Sequence, residues 1–353
     1  MNYKIRTLRD KLKSLNLEGM IVSNPVNIKY LTNIELEGTL LITRKENIFL
    51  TYTMFLEDVN RTLTIDDEII AADMRDISSE EAQNFFVFCE NIGFEESYVT
   101  YEQYKRLKQR YRINNMVETE GIIEKQRMIK EEEEIENIKK ACEITDKCFE
   151  HLLTYIKEGM TEKQVALEIE IFFKTNGAEG NSFDPIVASG PNSSIPHWKP
   201  SDRKIQMADP ILIDMGCKYK GYCSDMTRTI FMGCILEEIK PVYDLVLKNQ
   251  NNVLEEARSN YSIKTLSRMV DDSFKFNNYT LIHGLGHGVG LEIHEMPNIN
   301  SRSESFLKEN MVVTDEPGIY LPGRYGIRIE DTVLITKTEC IPLTKSSKEY
   351  VVI

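Results

Sequence analysis

A chain of 353 residues, 41% hydrophobic and 28% charged, has the length and balance of a two-domain globular protein and is neither disordered nor fibrous. Acidic residues outnumber basic ones 56 to 43, a net charge of -13 that excludes recognition of a nucleic-acid backbone through clustered Lys and Arg. No apolar run reaches the roughly 18–20 residues of a membrane span, the charged start MNYKIRTLRDKLK has no signal-peptide core, and seven scattered cysteines form no CxxC pair. Neither nucleic acid nor membrane is an expected partner, and a reducing cytoplasm is the expected location.

The N-terminal stretch alternates helix and strand signals. Ile5, Leu8, Leu12 and Leu15 fall on one helical face, Gly19 is expected to end that helix, and Met20-Ile21-Val22 opens a buried strand. A short helix around Ile28–Leu31 and strands at Thr39–Thr43 and Asn47–Tyr52 follow, the pattern of a small α/β domain over residues 1–118. No phosphate-cradling Gly loop follows these strands, so nucleotide binding is not supported. The charged segment Glu118–Glu136, with four glutamates at 131–134, reads as a connector and a solvated helix start ahead of a second domain over 119–353.

That domain opens with Ile135, Ile138, Cys142, Thr145, Phe149, Leu152 and Ile156 in alternating steps of three and four, one long amphipathic helix closed by Gly159. Thr161 and Gln164 predict a capping box for a second helix, with Val165, Ile169, Phe172 and Phe173 inward and Gly177 as its stop. Strands are expected at Pro185–Ala188 and within Ile211–Phe231. Helices are then expected over Glu238–Phe276, and strands near Tyr279–Ile282, Met311–Asp315 and Gly326–Ile335. Two helices followed by antiparallel strands, twice over, predict an internally duplicated α+β domain.

Carboxylates and histidines concentrate on these strands. Asp214 and Asp225 lie in ILIDMGCKYKGYCSDMTRTIF; a hairpin centred between Tyr219 and Lys220 would set them opposite each other, with Cβ atoms about 5 Å apart. Two bare carboxylates there would repel, and a hard divalent cation between them would turn that repulsion into a binding site. Glu316 in VVTDEPGIY and Glu330 in GIRIED flank a turn centred on Gly323, and Arg328 shares the strand face of Glu330. Of five histidines, His283, His287 and His294 fall in the glycine-rich HGLGHGVGLEIHE. His197 sits beside Trp198, the only tryptophan, on the Pro-rich loop PNSSIPHWKP, and His151 lies on the long helix as an expected surface residue.

Asp214, Asp225, His287, Glu316 and Glu330 together resemble the five-ligand dinuclear metal set of the pita-bread metallopeptidases, which include methionine aminopeptidase, aminopeptidase P and prolidase. The strings FDPIVASGPNSSIPH, GYCSDMTRT, HGLGHGVGLEIHE and EPGIY with GIRIED resemble the proline-peptidase branch, as does the N-terminal GMIVSNPVNIKYLTN. The resemblance implies a creatinase-type N-terminal α/β domain ahead of a duplicated pita-bread α+β catalytic domain. It also implies two divalent ions per subunit, manganese first and cobalt, zinc or iron(II) as alternatives. Asp214 would chelate one ion, Asp225 and Glu330 would bridge both, and His287 and Glu316 would bind the other. His197, His283, His294 and Arg328 match positions that contact substrate or support the ligands; Glu316 matches a general base.

The implied substrate is a peptide or dipeptide with proline second, and the implied assembly a homodimer. Proline's nitrogen carries no hydrogen and leaves as a secondary amine, so it must be protonated on departure; His294 or His197 is placed for that, and His283 or His294 for the oxyanion. Some dipeptidases of this group carry an Arg for the proline carboxylate shortly after the His-Glu pair. Here HEMPNIN places Asn298 near that point, with Arg324 as a possible substitute, which tilts the sequence reading toward an Xaa-Pro aminopeptidase over an Xaa-Pro dipeptidase. A non-catalytic pita-bread binding protein and a metal-free creatinase-like hydrolase are the competing readings, and neither needs the full carboxylate set.

Overall fold

The computed structural model describes residues 2–64, 68–75 and 84–353, which fall into two compact units, Met1–Arg127 and Met128–Ile353. In the first, helix α1 (Tyr3–Ser14) is capped by the Asn2 side chain, which accepts from the backbone of Lys4 and Ile5, and buries Ile5, Leu8 and Leu12. Leu15 does not join that face. The chain leaves the helix there, Leu15 is exposed, and Leu17 is buried in its stead. Gly19 is already the first residue of strand β1 (Gly19–Val22) rather than a helix stop.

Helix α2 (Pro25–Thr32) follows, then β2 (Thr39–Thr43) and β3 (Asn47–Thr51) as expected. With α3 (Leu56–Thr62), β4 (Ile69–Asp73), β5 (Asn91–Phe94), α4 (Tyr101–Arg110) and β6 (Asn115–Glu118) they complete a mixed sheet of order β4-β3-β2-β1-β5-β6. The boundary at 118/119 is corrected to 127/128. Helix α5 (Ile122–Arg127) buries Ile122 and Ile123, and Arg127 donates to Asn27 within the first unit. A highly charged segment hides that helix from a composition reading.

The second unit opens with α6 (Glu132–Tyr155) and α7 (Glu162–Thr175). The start of α6 is less solvated than its charge implies, because Glu134 is buried and accepts from the Tyr222 hydroxyl. The Thr161–Gln164 capping box is present in α7. Both helices pack on β7 (Gly180–Asn181), β8 (Ile186–Ser189), β9 (Pro210–Met215), β10 (Cys217–Tyr219), β11 (Tyr222–Cys223) and β12 (Met226–Phe231), around a core holding Cys148, Phe149, Ile169, Phe173, Ile213 and Ile230.

The second half repeats the order. Helices α8 (Lys240–Glu256) and α9 (Ile263–Phe276) cover β13 (Gly286–Gly288), β14 (Glu295–Ile299), β15 (Val312–Asp315), β16 (Gly318–Leu321), β17 (Tyr325–Arg328), β18 (Asp331–Ile335) and β19 (Cys340–Pro342). The strand expected at Tyr279–Ile282 does not form; that stretch is irregular, Ile282 is exposed, and pairing starts only at Gly286. The halves meet along β12. Glu330 N donates to Thr227 O at 3.1 Å, and the Thr332 hydroxyl accepts from Asp225 N and donates to Asp225 O at 3.1 and 2.7 Å. This seam brings the two carboxylate pairs together. All seven cysteines are free, and no helix among the described residues is long and apolar enough to cross a membrane.

Candidate active site

The hairpin that carries Asp214 and Asp225 turns one residue later than expected. Asp214 pairs with Thr227 and Met215 with Met226, which centres the turn between Lys220 and Gly221. Asp225 is therefore diagonal to Asp214 on the same face. Lys220 and Gly221 both take a left-handed φ, which displaces the turn. The second hairpin matches expectation: Gly318 pairs with Arg328 and Leu321 with Tyr325, so Gly323, at φ 72°, occupies the tip and Glu316 and Glu330 stand across from each other. His287 reaches the same place because β13 lies tight on β15. A Cβ at Gly286 would sit 2.1 Å from Thr314 O, so only glycine permits that approach.

Around this point the polar atoms are acceptors facing acceptors. His287 Nδ1 lies 3.1 Å from Gly288 O and can only donate to it, so Nε2 turns its lone pair toward Asp225 Oδ2 and Glu316 Oε1, each 3.5 Å away. Asp225, His287 and Glu330 each offer a ligand atom within 4.8 Å of the others. Asp214 Oδ1 is buried with no hydrogen-bond partner, while its Oδ2 accepts from Arg328 Nη2 at 2.6 Å. Burial and then the charge of Glu330 push the Asp225 carboxyl far above the usual carboxylate range. Burial and then Glu316 do the same to Glu330, and Glu316 is pushed up to about 7, mainly by burial. Burial holds His287 down at about 4, hence neutral and able to ligate. A convergence of one neutral imidazole, three buried carboxylates and the half-buried Glu316 with one guanidinium fits a divalent cation pair, the group that resolves such repulsion.

Thr227 and Thr314 donate their hydroxyls to Glu330 and Glu316, fixing both carboxylates from behind. Arg328 is buried and spans Asp214, the Thr227 hydroxyl at 3.0 Å and the Tyr320 hydroxyl at 2.7 Å. Tyr320 then bonds His283 Nε2 at 3.0 Å, and His283 Nδ1 meets Gly284 O at 2.7 Å. Both nitrogens of His283 are thus engaged, one by Gly284 O and the other by the Tyr320 hydroxyl. His294 stands edge-on to His287 with ring centroids 4.3 Å apart and, like His197, makes no hydrogen bond among the described residues. Both line a cavity of about 530 Å3 together with Asp214, Asp225, His283, His287, Glu316, Arg328 and Glu330. That volume is in the range of small-ligand sites.

Elsewhere the outcome differs from expectation. His151 is not a plain surface group; it bonds Glu168 at 2.7 Å and stacks on Tyr155 and Phe172. Arg324 points to Glu238 at 3.0 Å and is absent from the cavity lining, whereas Asn298 does line it. Tyr320 and Glu162 were missed. Tyr320 faces Arg328 only through the β16–β17 register, and Glu162 reads locally as an ordinary first-turn acid although its partners lie 27 to 39 residues away. Replacing His287 by Ala is expected to abolish hydrolytic activity and lower metal content while circular dichroism stays that of the wild type; wild-type turnover would remove His287 from the site.

The metallopeptidase family M24 pattern matches residues 136–337, and the Creatinase/Prolidase N-terminal domain pattern matches residues 4–129. The chain is 35% identical over 352 residues to the Xaa-Pro dipeptidase of Pyrococcus furiosus, covering 99% of both chains. Among solved structures, an Xaa-Pro dipeptidase from Bacillus anthracis superposes with a TM-score of 0.93 at 35% identity, over 99% of each chain. An X-Pro aminopeptidase from Thermotoga maritima gives 0.89 at 31% identity, over 98% of this chain and 100% of its own. A duplicated α+β unit with four carboxylates and a histidine at its seam, following a six-stranded α/β unit in the sequence, is the expected pita-bread architecture, and the chain belongs to metallopeptidase family M24.

Proposed function

We propose that the protein is an Xaa-Pro dipeptidase working with two divalent cations, of which manganese suits the carboxylate-rich donors best. The observation that carries this reading is the inward turn of Asp214, Asp225, His287, Glu316 and Glu330 on one cavity, in a chain that matches a dipeptidase over its full length. Asp214 would hold one ion and His287 and Glu316 the other, with Asp225 and Glu330 placed to serve both. When bound, such a pair acidifies a water to near neutrality and polarises the scissile carbonyl. Glu316, facing both His287 and His283, is the carboxylate that holds the proton released from water. His294 or His197, each with ring nitrogens uncommitted among the described residues, delivers a proton to the departing proline nitrogen. Arg328 and Tyr320 keep Asp214 and His283 in place.

The tilt toward an aminopeptidase rested on the missing Arg. Lys199 answers it: it lines the cavity and makes no ion pair among the described residues, so it is available to a free proline carboxylate. The test compares an Xaa-Pro dipeptide, its C-terminal amide and an Xaa-Pro-Yaa tripeptide on manganese-loaded protein. The dipeptide is expected to turn over at least about tenfold more efficiently than its amide, the value of one charge-assisted hydrogen bond, and Lys199→Ala is expected to erase that difference. Preferential tripeptide cleavage would overturn the dipeptidase reading in favour of an aminopeptidase.

A further inference from the structure

One wall of the cavity is a loop with little regular structure, running from Ser189 to Asp209 through a single 3-10 turn at Gly190–Ser194. Its tip contributes Pro196, His197, Trp198, Lys199 and Pro200 to the lining. Such a loop has many conformations to lose, and something must hold it.

Glu162 in the first turn of α7 is fully buried, and no Lys or Arg pairs with it among the described residues. Its Oε1 accepts from Ser189 N and Oγ, both at 2.7 Å, and from Asn192 Nδ2 at 2.9 Å. Its Oε2 accepts from Trp198 Nε1 at 2.8 Å and from Ser201 N and Oγ at 3.0 and 2.7 Å. Each oxygen therefore holds one arm of the loop: Ser189–Asn192 on one side, Trp198–Ser201 on the other. Burial works against the charge, but these donors outweigh it and keep the carboxyl below its usual range, aided by the helix N-terminus.

Beyond the pin, Arg203 closes the base through Asp209, at 2.6 and 3.0 Å, and through Ser189 Oγ at 2.7 Å. The tip leans inward, with Pro196 O accepting from Arg328 Nη1 at 3.4 Å, the same guanidinium that holds Asp214. The connection runs without a break from Glu162 through the loop to the candidate ligand shell.

We propose that Glu162 is the positioning residue of the substrate-facing wall: its carboxylate pins both arms of the Ser189–Asp209 loop at a fixed separation and thereby sets His197 and Trp198 over the cavity. Acceptor-only chemistry is what the position demands. Each oxygen faces donors that cannot accept, so an amide would turn its own N–H2 either against the indole and Ser201 N–H or against Ser189 N–H and the Asn192 amide. The proposal rests on the Xaa-Pro reading for its assay substrate and not for its geometry.

Trp198 is the only tryptophan, so its emission reports the wall directly. Glu162→Gln in the full, metal-loaded chain is expected to raise KM for Xaa-Pro substrate about tenfold or more, the loss expected of a charge-assisted bond, with kcat falling by less than KM rises, because His294 lies outside the loop, and with metal content unchanged. Tryptophan emission is expected to shift to the red and acrylamide quenching to increase. The double variant Ser201→Ala/Asn192→Ala removes two donors outside the cavity lining and is expected to move KM and emission the same way, less far; it decides the matter if Glu162→Gln does not fold. Unchanged KM and emission in a folded variant, even with a lowered melting temperature, would overturn the proposal and leave Glu162 a stability residue. If wild type cleaves no Xaa-Pro peptide, the functional reading fails separately, and the emission and quenching data alone still judge the pin.

Discussion

Asp225→Asn is expected to reduce turnover by on the order of a thousandfold, beyond the 10–100-fold typical of groups that only orient ligands, and at the same time to stabilise the metal-stripped protein. The two effects have one cause. Without cations, Asp225 is buried beside Glu330, Asp214 and Glu316, and its folded-state pKa lies above the unfolded value. The folded chain then binds more protons than the unfolded one across the window between those values, so stability falls as pH rises through it. The penalty is complete above the folded pKa and absent below the unfolded one, near 4. An asparagine carries no such charge. Calorimetry of chelator-treated wild type and variant is expected to show the variant melting higher at pH 8, with the gap closing toward pH 4. With manganese present the order reverses, since only wild type gains binding energy from the full ligand set. A stripped variant that melts below wild type at pH 8 would mean the carboxylates do not oppose one another.

The second large effect is on stability. Arg228 is fully buried on β12, bonded to Asp331 Oδ1 at 2.6 Å, to Ser346 O at 2.9 Å and to Thr227 O at 2.9 Å. Asp331 is held further by Gln250 at 2.8 Å, Thr344 at 2.8 Å and Lys348 at 3.0 Å. This network ties the two halves of the catalytic unit and the C-terminal segment behind the candidate ligands. Arg228→Met leaves a buried carboxylate short of its main partner and is expected to cost about 3–5 kcal/mol in urea unfolding. Adding Asp331→Leu removes the stranded charge and is expected to recover part of that loss, because replacing a buried pair is cheaper than breaking it, while Lys348, Gln250 and Thr344 each lose a partner. A double variant no more stable than Arg228→Met would show that the charge is not what the single substitution strands.

Local signals determined much of this protein from sequence alone. The three-four spacing from Ile135 to Leu152 and the Thr161–Gln164 capping box gave α6 and α7, because helix periodicity and caps are written within one or two turns. The Gly323 tip placed Glu316 opposite Glu330 for the same reason: a short turn sets its own register. The carboxylate pairs Asp214 with Asp225 and Glu316 with Glu330 stood out by residue type and position about their hairpins, and His287 joined them through the family resemblance.

Tertiary structure decided what depends on contacts distant in sequence. A turn displaced by one residue moved Asp225 from opposite Asp214 to its diagonal, since left-handed backbone at Lys220 and Gly221 was not signalled by hydrophobic pattern. His283 Nε2 meets the Tyr320 hydroxyl, a partner 37 residues away. Glu162, an ordinary acid by local reading, became a buried hub because loop residues return to it across tens of residues. Periodicity reports which face of an element is apolar; it carries no record of which polar groups the packed chain brings within 3 Å of each other.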